Sequence, residues 1–439
     1  MATPSDDAKK VVRKVSLRLI PFLFVLYIFN YLDRINIGFA ALLMNKDLAL
    51  SATAFGFAST IFYVGYVACE VPSNLLMVRF GARVWLARIM VTWGLASAAT
   101  MLVFDATSLY AARFVVGVLE AGFVPGVLLY LSAWFPASHR GRANSLLMMA
   151  QPVAMALGAG ISGLIMQRAH GVFGLQGWRW MFLLEGLPAF LLGIAIYFYL
   201  PDRPERASWL TPRETGLLEG LLDDGKRSVH AGGDASVWRQ LADARIVMLS
   251  VAYFCLVNTI NANATWIPTI VRGVLKAHTL SYVGLVTAIP ALSALVLMPL
   301  WGMSSDRKQE RTWHVIAALA LAAVGWQLVI FARQPELRLL WLVFTTSGAF
   351  CAMSVFWTLP QTLLSEKARP AGIAAISAVG LLGSATSPTV IGVLRDLSGS
   401  FAAGLIYSTI LLVVSMMLVL FVSRRRDAVS LRASSIEPA

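Results

Sequence analysis

Long runs of apolar residues alternate with short polar segments along nearly the whole 439-residue chain. An α-helix rises about 1.5 Å per residue, so about 20 apolar residues are needed to cross a hydrocarbon core of about 30 Å. Runs of this length recur twelve times, and no segment shows the alternating pattern of an outer-membrane β-barrel strand. The pattern predicts an all-α membrane protein with twelve transmembrane helices near 17–42, 53–77, 84–104, 108–134, 143–166, 179–200, 246–271, 280–303, 313–332, 338–363, 371–394 and 401–423.

One polar stretch, from Pro201 to Arg245, is much longer than the other interruptions. It contains three prolines, mixed charge and a Gly-rich segment, which is typical of a linker with a short helical piece. We therefore predict an N-terminal six-helix half at 1–200, a cytoplasmic linker at 201–245 and a C-terminal six-helix half with a short cytoplasmic tail at 246–439. Repeated halves with a site between them at the membrane midplane are typical of alternating-access carriers.

Composition and charge agree with a membrane protein. Hydrophobic residues make up 58% of the chain, charged residues 13%, and the mean hydropathy is +0.71, which excludes a soluble domain of this length. Of the 36 Lys and Arg residues, 26 fall on loops on the side of the termini and 8 on the opposite loops. The positive-inside rule then predicts that both termini are cytoplasmic. It also accounts for the net charge of +13, so we expect no nucleic-acid partner.

Four ionisable residues interrupt the apolar runs. Asp33 and Arg34 lie inside the first run, and Arg113 and Glu120 lie inside the fourth. Such groups cost at least about 2–3 kcal/mol each at membrane depth and are kept where they pair, line a cavity or do work. The pattern therefore indicates a transporter.

The spacing of these four residues limits how they can pair. Arg113 and Glu120 are seven apart, so they share a helix face at about 10 Å along the axis, too far for a direct salt bridge. Asp33 and Arg34 are adjacent and diverge by about 100° around the helix. Partners must therefore come from other helices. The four charges sum to zero, so an anion entering with one proton would keep the cavity neutral, which favours symport over uniport.

Each charged residue has a functional and a structural interpretation. The guanidinium of Arg34 can bind a substrate carboxylate through two hydrogen bonds, or it can form a structural ion pair with a carboxylate of the same half. Asp33 and Glu120 are candidates for carrying protons, since an anion that engages the arginine frees its carboxylate partner to be protonated. The alternative is that each carboxylate forms a permanent pair that closes the bundle.

Several motifs carry a family resemblance. The twelve-helix pattern and the loop Gly302-x-x-x-Asp306-Arg307 resemble the major facilitator superfamily. Within it, four segments resemble the anion:cation symporters, which take up organic anions such as sugar acids, tartrate, phthalate and hydroxyphenylacetate together with protons: 29–38, 70–74, 113–126 and 177–186. Three further segments are most similar to the 4-hydroxyphenylacetate permeases: 252–259, 305–311 and 383–388.

The resemblance also implies binding residues. Tyr31, Tyr66 and Gln151 match family positions that hydrogen-bond the substrate, although each also fits a hydrogen bond between helices. In the second half, the candidates for the opposite wall of the pocket are Phe356, Trp357, Thr358 and Asn258, with Asn261 and Asn263 on the same helix as Asn258.

One position departs from the family. The eleventh helix reads Gly380-Leu381-Leu382-Gly383 where the family commonly has Gly-Asn-x-Gly. Losing the amide makes the pocket more apolar, which favours an aromatic ring over a polyhydroxylated acid. The hydroxyphenylacetate permeases keep this amide, so Leu381 counts against that finer match.

These observations predict a proton-coupled symporter that imports a small organic anion, an aromatic monocarboxylate such as 4-hydroxyphenylacetate. Arg34 would bind the carboxylate, Asp33 and Glu120 would take up protons, Arg113 would tune Glu120, and Trp357 with Phe356 would stack on the ring. The alternatives are a sugar-acid, tartrate or phthalate symporter, and a membrane sensor that binds the anion without moving it.

The resemblance implies a monomer in a bacterial-type inner membrane. The expected partners are the organic anion, protons and the lipid bilayer. We find no nucleophile, metal or cofactor motif, and the three cysteines are scattered through apolar runs, so we expect neither an enzyme nor a metal site or cofactor.

Overall fold

The computed structural model of the chain describes residues 6–227, 243–364 and 369–434. Within these ranges all regular structure is helical, and twelve segments are long and apolar enough to cross a membrane. The all-α class and the twelve predicted spans are thus confirmed. Residues 228–242 of the predicted linker and 435–439 of the predicted tail lie outside the described residues, and the division into halves stays a prediction.

Eight helices form the first six spans: α1 (Asp6–Asp47), α2 (Ala52–Phe80), α3 (Ala82–Ala99), α4 (Ala106–Glu120), α5 (Phe123–Ser132), α6 (Ala137–Met148), α7 (Ala150–Arg168) and α8 (Gly177–Tyr199). A shorter helix, α9 (Pro212–Arg227), follows in the predicted linker. Seven helices form the last six spans: α10 (Ala244–Val274), α11 (Leu280–Lys308), α12 (Thr312–Phe331), α13 (Pro335–Phe356), α14 (Thr358–Leu363), α15 (Arg369–Ser398) and α16 (Ala402–Ser434).

The fourth span is broken next to a charged residue. Helix α4 ends at Glu120, and α5 begins at Phe123 after Gly122, which has φ of +86°. This left-handed conformation is readily available only to glycine, and a Cβ at Gly122 would also press on the side chain of Ser73. The fourth span, predicted near 108–134, is thus present but consists of two helices, because the local backbone conformation at Gly122 interrupts an otherwise apolar helical run.

The tenth span, predicted near 338–363, is also divided into two helices, α13 and α14, at Trp357. This break is slighter than the one at Gly122, because Trp357 keeps right-handed helical angles (φ −66°, ψ −8°). The fourth and tenth spans hold the same place in the two sets of six. Interrupted helices at corresponding positions of two halves mark the substrate sites of many carriers, since their unpaired backbone groups can only be tolerated beside a cavity.

The bundle is closed at the end far from both termini, which we call the far side. There Gly56 of α2 packs against the backbone of Pro388 of α15, and Gly163 of α7 packs against Gly284 of α11. Small residues let the helix backbones approach closely in a membrane, where van der Waals packing drives association.

A carboxylate ties the same two helices together. Asp396, near the end of α15, accepts hydrogen bonds from the backbone N–H groups of Ala52 at 3.1 Å and Thr53 at 2.7 Å. These are the first residues of α2, whose free N–H groups and positive dipole end favour an anion. Asp396 of α15, in the eleventh span, therefore caps the start of α2, in the second span.

Candidate functional site

Arg34 and Glu120 form an ion pair between α1 and α4. The Nε and Nη2 atoms of Arg34 both lie 2.7 Å from Oε1 of Glu120, and Nδ2 of Asn30 donates to the same oxygen at 2.8 Å. Oε2 of Glu120 has no hydrogen-bond partner among the described residues. The two predicted residues are thus brought together, and the carboxylate keeps one oxygen available for a proton.

The pair is only partly shielded from solvent. The side chain of Arg34 is 15% exposed whereas Glu120 is fully buried. The Arg34 guanidinium carbon lies 4.8 Å from the ring centre of Tyr66 and 5.7 Å from that of Phe62. These rings stabilise the cation and hold it in place. Arg34 is therefore the member of the pair that an entering anion can reach.

Arg113 is a second buried cation, placed behind the ring of Phe62. Its guanidinium carbon lies 4.7 Å from the Phe62 ring centre, and the residue is 2% exposed. It makes no salt bridge with a carboxylate in the described part of the chain, as its spacing from Glu120 predicts. Asp33 and Glu120 act on this cation through space, so the four charges balance without a direct ion pair at Arg113.

Asp33 points away from Arg34, as their 100° divergence predicts. Its carboxylate accepts hydrogen bonds from Nε1 of Trp93 at 2.9 Å, from Nδ2 of Asn36 at 3.2 Å and from the hydroxyl of Ser97. The residue is 3% exposed. The contacts with Trp93 and Ser97 tie α1 to α3. Such contacts are those of the structural alternative for Asp33, and its role as a proton carrier stays a prediction.

Two other predicted residues of the first half, Tyr31 and Gln151, lie on α1 and α7. Tyr31 is half-buried and lies three residues before Arg34, one turn away on the same face. Nε2 of Gln151 donates to the hydroxyl of Tyr27 at 3.2 Å, so it joins α7 to α1 beside the ion pair.

The predicted aromatic wall of the second half is present in part. The ring of Tyr253 stacks on Phe356 at 5.1 Å and meets Trp357 edge-on at 4.8 Å. Phe356 is fully buried beneath Tyr253, whereas Trp357 is half-buried at the helix break. The hydroxyl of Thr358 donates to the carbonyl of Val355 at 2.7 Å, as in an ordinary helical turn.

Asn258 makes its hydrogen bonds with α15 and α16. Its Nδ2 donates to the carbonyl of Gly383 at 3.3 Å and to the hydroxyl of Tyr407 at 3.1 Å, and the residue is fully buried. The side chain thus joins α10 to α15 and α16. Leu381, by contrast, packs against the core of the first half and lies at the interface between the halves.

Three residues near the ion pair were missed by sequence reasoning, Asn30, Tyr63 and Tyr253, whereas Asn261 was among the candidates of the second half. Asn30 precedes Arg34 by four residues and Tyr63 precedes Tyr66 by three, so helical spacing could have indicated both. Nδ2 of Asn261 donates to the hydroxyl of Tyr63 at 2.5 Å, which connects α10 to α2. Tyr253 has no sequence signal, because its position depends on how α10 packs against α13.

The chain matches known transporters over nearly its whole length. Residues 23–368 and 249–438 match the sequence profile of the Major Facilitator Superfamily. A protein of Agrobacterium vitis, provisionally named a tartrate transporter, is 43% identical over 422 residues, or 96% of each chain. A Pseudomonas putida protein, provisionally named metabolite transport protein NicT, is 40% identical over 402 residues, which is 90% of this chain and 91% of that one.

A solved structure shows the same fold. The bacterial homologue of the human lysosomal transporter Spinster superposes with a TM-score of 0.74 at 16% identity, over 96% of this chain and 98% of that one. The sequence profile and the relatives agree with the twelve spans found here. The chain therefore belongs to the Major Facilitator Superfamily, and it is a multi-pass membrane transporter rather than an enzyme.

Proposed function

We propose that this transporter is a symporter of the anion:cation type, which imports a small organic monoanion together with a proton. The observation that carries the proposal is the Arg34–Glu120 pair, in which a partly exposed arginine is held through only one oxygen of a buried carboxylate. In such a pair, Arg34 can release the carboxylate of Glu120 and bind the carboxylate of the substrate in its place. We also propose that the termini are cytoplasmic and the membrane is a bacterial inner membrane, so that the far side is periplasmic.

The coupling follows from charge balance. When a proton binds Oε2 of Glu120, the carboxyl becomes neutral and Arg34 loses its counter-ion. An entering carboxylate can then take two hydrogen bonds from the guanidinium. Without the proton, the substrate would displace a buried carboxylate and leave it unpaired, which costs about 3–5 kcal/mol. Without the substrate, a protonated Glu120 leaves the arginine unpaired. Proton and anion therefore bind together.

We propose an aromatic monocarboxylate, such as 4-hydroxyphenylacetate, as the substrate. Tyr27 and Tyr31 offer ring surfaces on the face of α1 that carries Arg34, and the second half offers the paired rings of Tyr253 and Trp357. Leu381 adds an apolar side chain at the interface. The name of the Agrobacterium relative supports tartrate as the second candidate. A sensor that binds the anion without moving it is disfavoured by family membership. We take the transporter to be a monomer.

The direct test is uptake of labelled 4-hydroxyphenylacetate into proteoliposomes with an inward proton gradient. We expect accumulation above the equilibrium level that a protonophore abolishes, with competition by other aromatic monocarboxylates but not by tartrate, galactonate or the dicarboxylate phthalate. Uptake of tartrate or galactonate instead would keep the symport mechanism and reject the aromatic substrate. Uptake that does not depend on the proton gradient would show that the protein is not a proton symporter.

A separate prediction concerns closure of the far side. Replacing Asp396 with asparagine removes the charge and one of the two acceptors at the start of α2. Charge-assisted hydrogen bonds of this kind contribute about 1.5–3 kcal/mol, so the closed state should lose about tenfold or more in population. In a background without the three native cysteines, Met155→Cys places a thiol in an enclosed cavity behind this closure. An impermeant maleimide applied from the far side should label it at least several-fold faster in Asp396→Asn.

Asp105→Asn is the matched control. Asp105 also caps a helix, since its Oδ1 accepts from the N–H of Ser108 at 2.7 Å, and these hydrogen bonds lower the pKa of its carboxyl. This cap lies within the first six spans and crosses no interface, so labelling should not change. Equal labelling in Asp396→Asn and its parent would show that the cap does not hold the far side closed.

A further inference from the structure

An enclosed cavity lies between the ion pair and the far side of the bundle and is lined by helices from both sets of six. Its walls include Ile35, Phe39 and Met155 from α1 and α7, and Asn263, Thr287 and Thr346 from α10, α11 and α13. Ile35 and Phe39 follow Arg34 within about one and a half turns of α1, on a face that diverges by about 100° from the Arg34 side chain. The cavity therefore lies toward the far side from the place proposed for the substrate carboxylate, and it has room for a group about the size of a water molecule.

Two polar side chains in this cavity have no partner. Asn263 is 1% exposed, and neither its amide nitrogen nor its amide oxygen makes a hydrogen bond within the described ranges. Thr346 is fully buried, and its hydroxyl has no partner there either. The hydroxyl of Thr287 differs, because it donates to the carbonyl of Val283 at 2.7 Å. Buried polar groups are usually hydrogen-bonded, and Asn263 and Thr346 both line this cavity, so one polar group placed in it could satisfy both side chains.

The chemistry of that group is restricted by the rest of the lining. No lysine, arginine or histidine lines the cavity, and the remaining walls are largely apolar. A second carboxylate would be buried there without a counter-ion, which is strongly unfavourable. A neutral hydroxyl or carbonyl can instead donate to or accept from the amide and the threonine hydroxyl. The size of the cavity also suits such a group rather than a ring.

We propose that Asn263 and Thr346 form a second recognition site for the substrate, which binds a neutral hydroxyl or carbonyl at the end remote from the carboxylate. This inference rests on the proposed function, in which the carboxylate binds Arg34. The substrate class is thereby narrowed to monocarboxylates that carry a distal neutral polar group, and dicarboxylates such as tartrate are disfavoured. In this proposal the first half of the bundle binds the substrate carboxylate, and the second half binds the neutral polar group.

The test compares two substrates that differ by one hydroxyl, 4-hydroxyphenylacetate and phenylacetate, each by its KM for proton-driven uptake. We expect the parent protein to prefer the hydroxylated acid by about tenfold or more. When phenylacetate binds, it has no hydroxyl to offer, so the polar side chains of Asn263 and Thr346 stay buried without a hydrogen bond. Asn263→Leu and Thr346→Val should each reduce the preference several-fold while uptake of phenylacetate is retained.

Thr345→Val is the matched control. Thr345 is also fully buried with an unpartnered hydroxyl, but its backbone packs against Gly325 of α12 and it does not line the cavity. This variant should keep the parent preference. If Asn263→Leu does not fold, as judged by thermal unfolding in detergent, Asn263→Ser removes the amide with a smaller change and gives the same comparison.

The possible outcomes separate the two proposals. An unchanged preference in Asn263→Leu and Thr346→Val, with uptake intact, would overturn the second recognition site and leave the proposed symport standing. Failure of the parent to transport either aromatic acid, with tartrate carried instead, would overturn the aromatic substrate and this inference together, since it would place a charge where the cavity has no cation.

Discussion

Replacing Glu120 with glutamine is expected to abolish accumulation of substrate against a gradient while leaving exchange across the membrane intact. Glutamine has nearly the shape of the protonated acid but cannot release a proton, so Arg34 stays available to the anion in every step of the cycle. With one proton per substrate, an inward gradient of one pH unit supports about tenfold accumulation, because 1.4 kcal/mol corresponds to a factor of ten. In Glu120→Gln this ratio should fall to about one.

The measurement is made in proteoliposomes in two formats. Uptake driven by a proton gradient reports coupling, and exchange of external label for internal unlabelled substrate reports binding and movement alone. Loss of the first with retention of the second supports Glu120 as the proton carrier. Accumulation that persists in Glu120→Gln would remove this residue from the coupling mechanism.

Asp33→Asn separates the two predicted proton carriers. The carboxylate of Asp33 is held by Trp93, Ser97 and Asn36, and it contacts neither Arg34 nor Glu120 directly. Asparagine replaces one acceptor oxygen with a donor, so we expect a less stable and slower protein whose accumulation ratio stays near that of the parent. A ratio that falls to one would instead identify Asp33 as a second obligatory carrier.

The sequence was sufficient for the spans but not for the pairing of the charges. Apolar length alone identifies a transmembrane helix, because the membrane imposes one requirement on every span. The partner of Glu120 depends on which face of α1 turns toward α4, and that is decided by packing. The sequence showed that Arg34 and Asp33 must diverge, but it could not say which of them meets Glu120.

The three asparagines of α10 show the same limit. Asn258, Asn261 and Asn263 lie within two turns of one helix, yet one bonds to α15 and α16, one bonds to Tyr63 and one faces the enclosed cavity. A helix that is apolar all round carries no amphipathic stripe to fix its rotation. The sequence could therefore supply the set of candidates, while only the packed bundle assigns each to a neighbour.

The two buried arginines should respond differently to the same substitution. Arg34→Gln removes the proposed carboxylate ligand and leaves Glu120 without its counter-ion. We expect the KM for uptake to rise by about 30-fold or more, because truncating a buried hydrogen-bonded charge pair costs about 2–5 kcal/mol and 1.4 kcal/mol is a factor of ten. We also expect a lower Tm in detergent, since breaking a buried pair by removing one partner is strongly destabilising.

Arg113→Gln is the matched variant, because it removes a buried cation that has no salt bridge among the described residues. The KM should rise by about tenfold through the weaker positive potential, whereas the Tm should be unchanged or higher, since an unpaired buried charge is itself destabilising. The double variant Arg34→Gln with Glu120→Gln should recover the Tm lost in Arg34→Gln without recovering uptake. If Arg34→Gln keeps the parent KM while Arg113→Gln loses uptake, the substrate carboxylate binds Arg113, and the Arg34–Glu120 pair is structural.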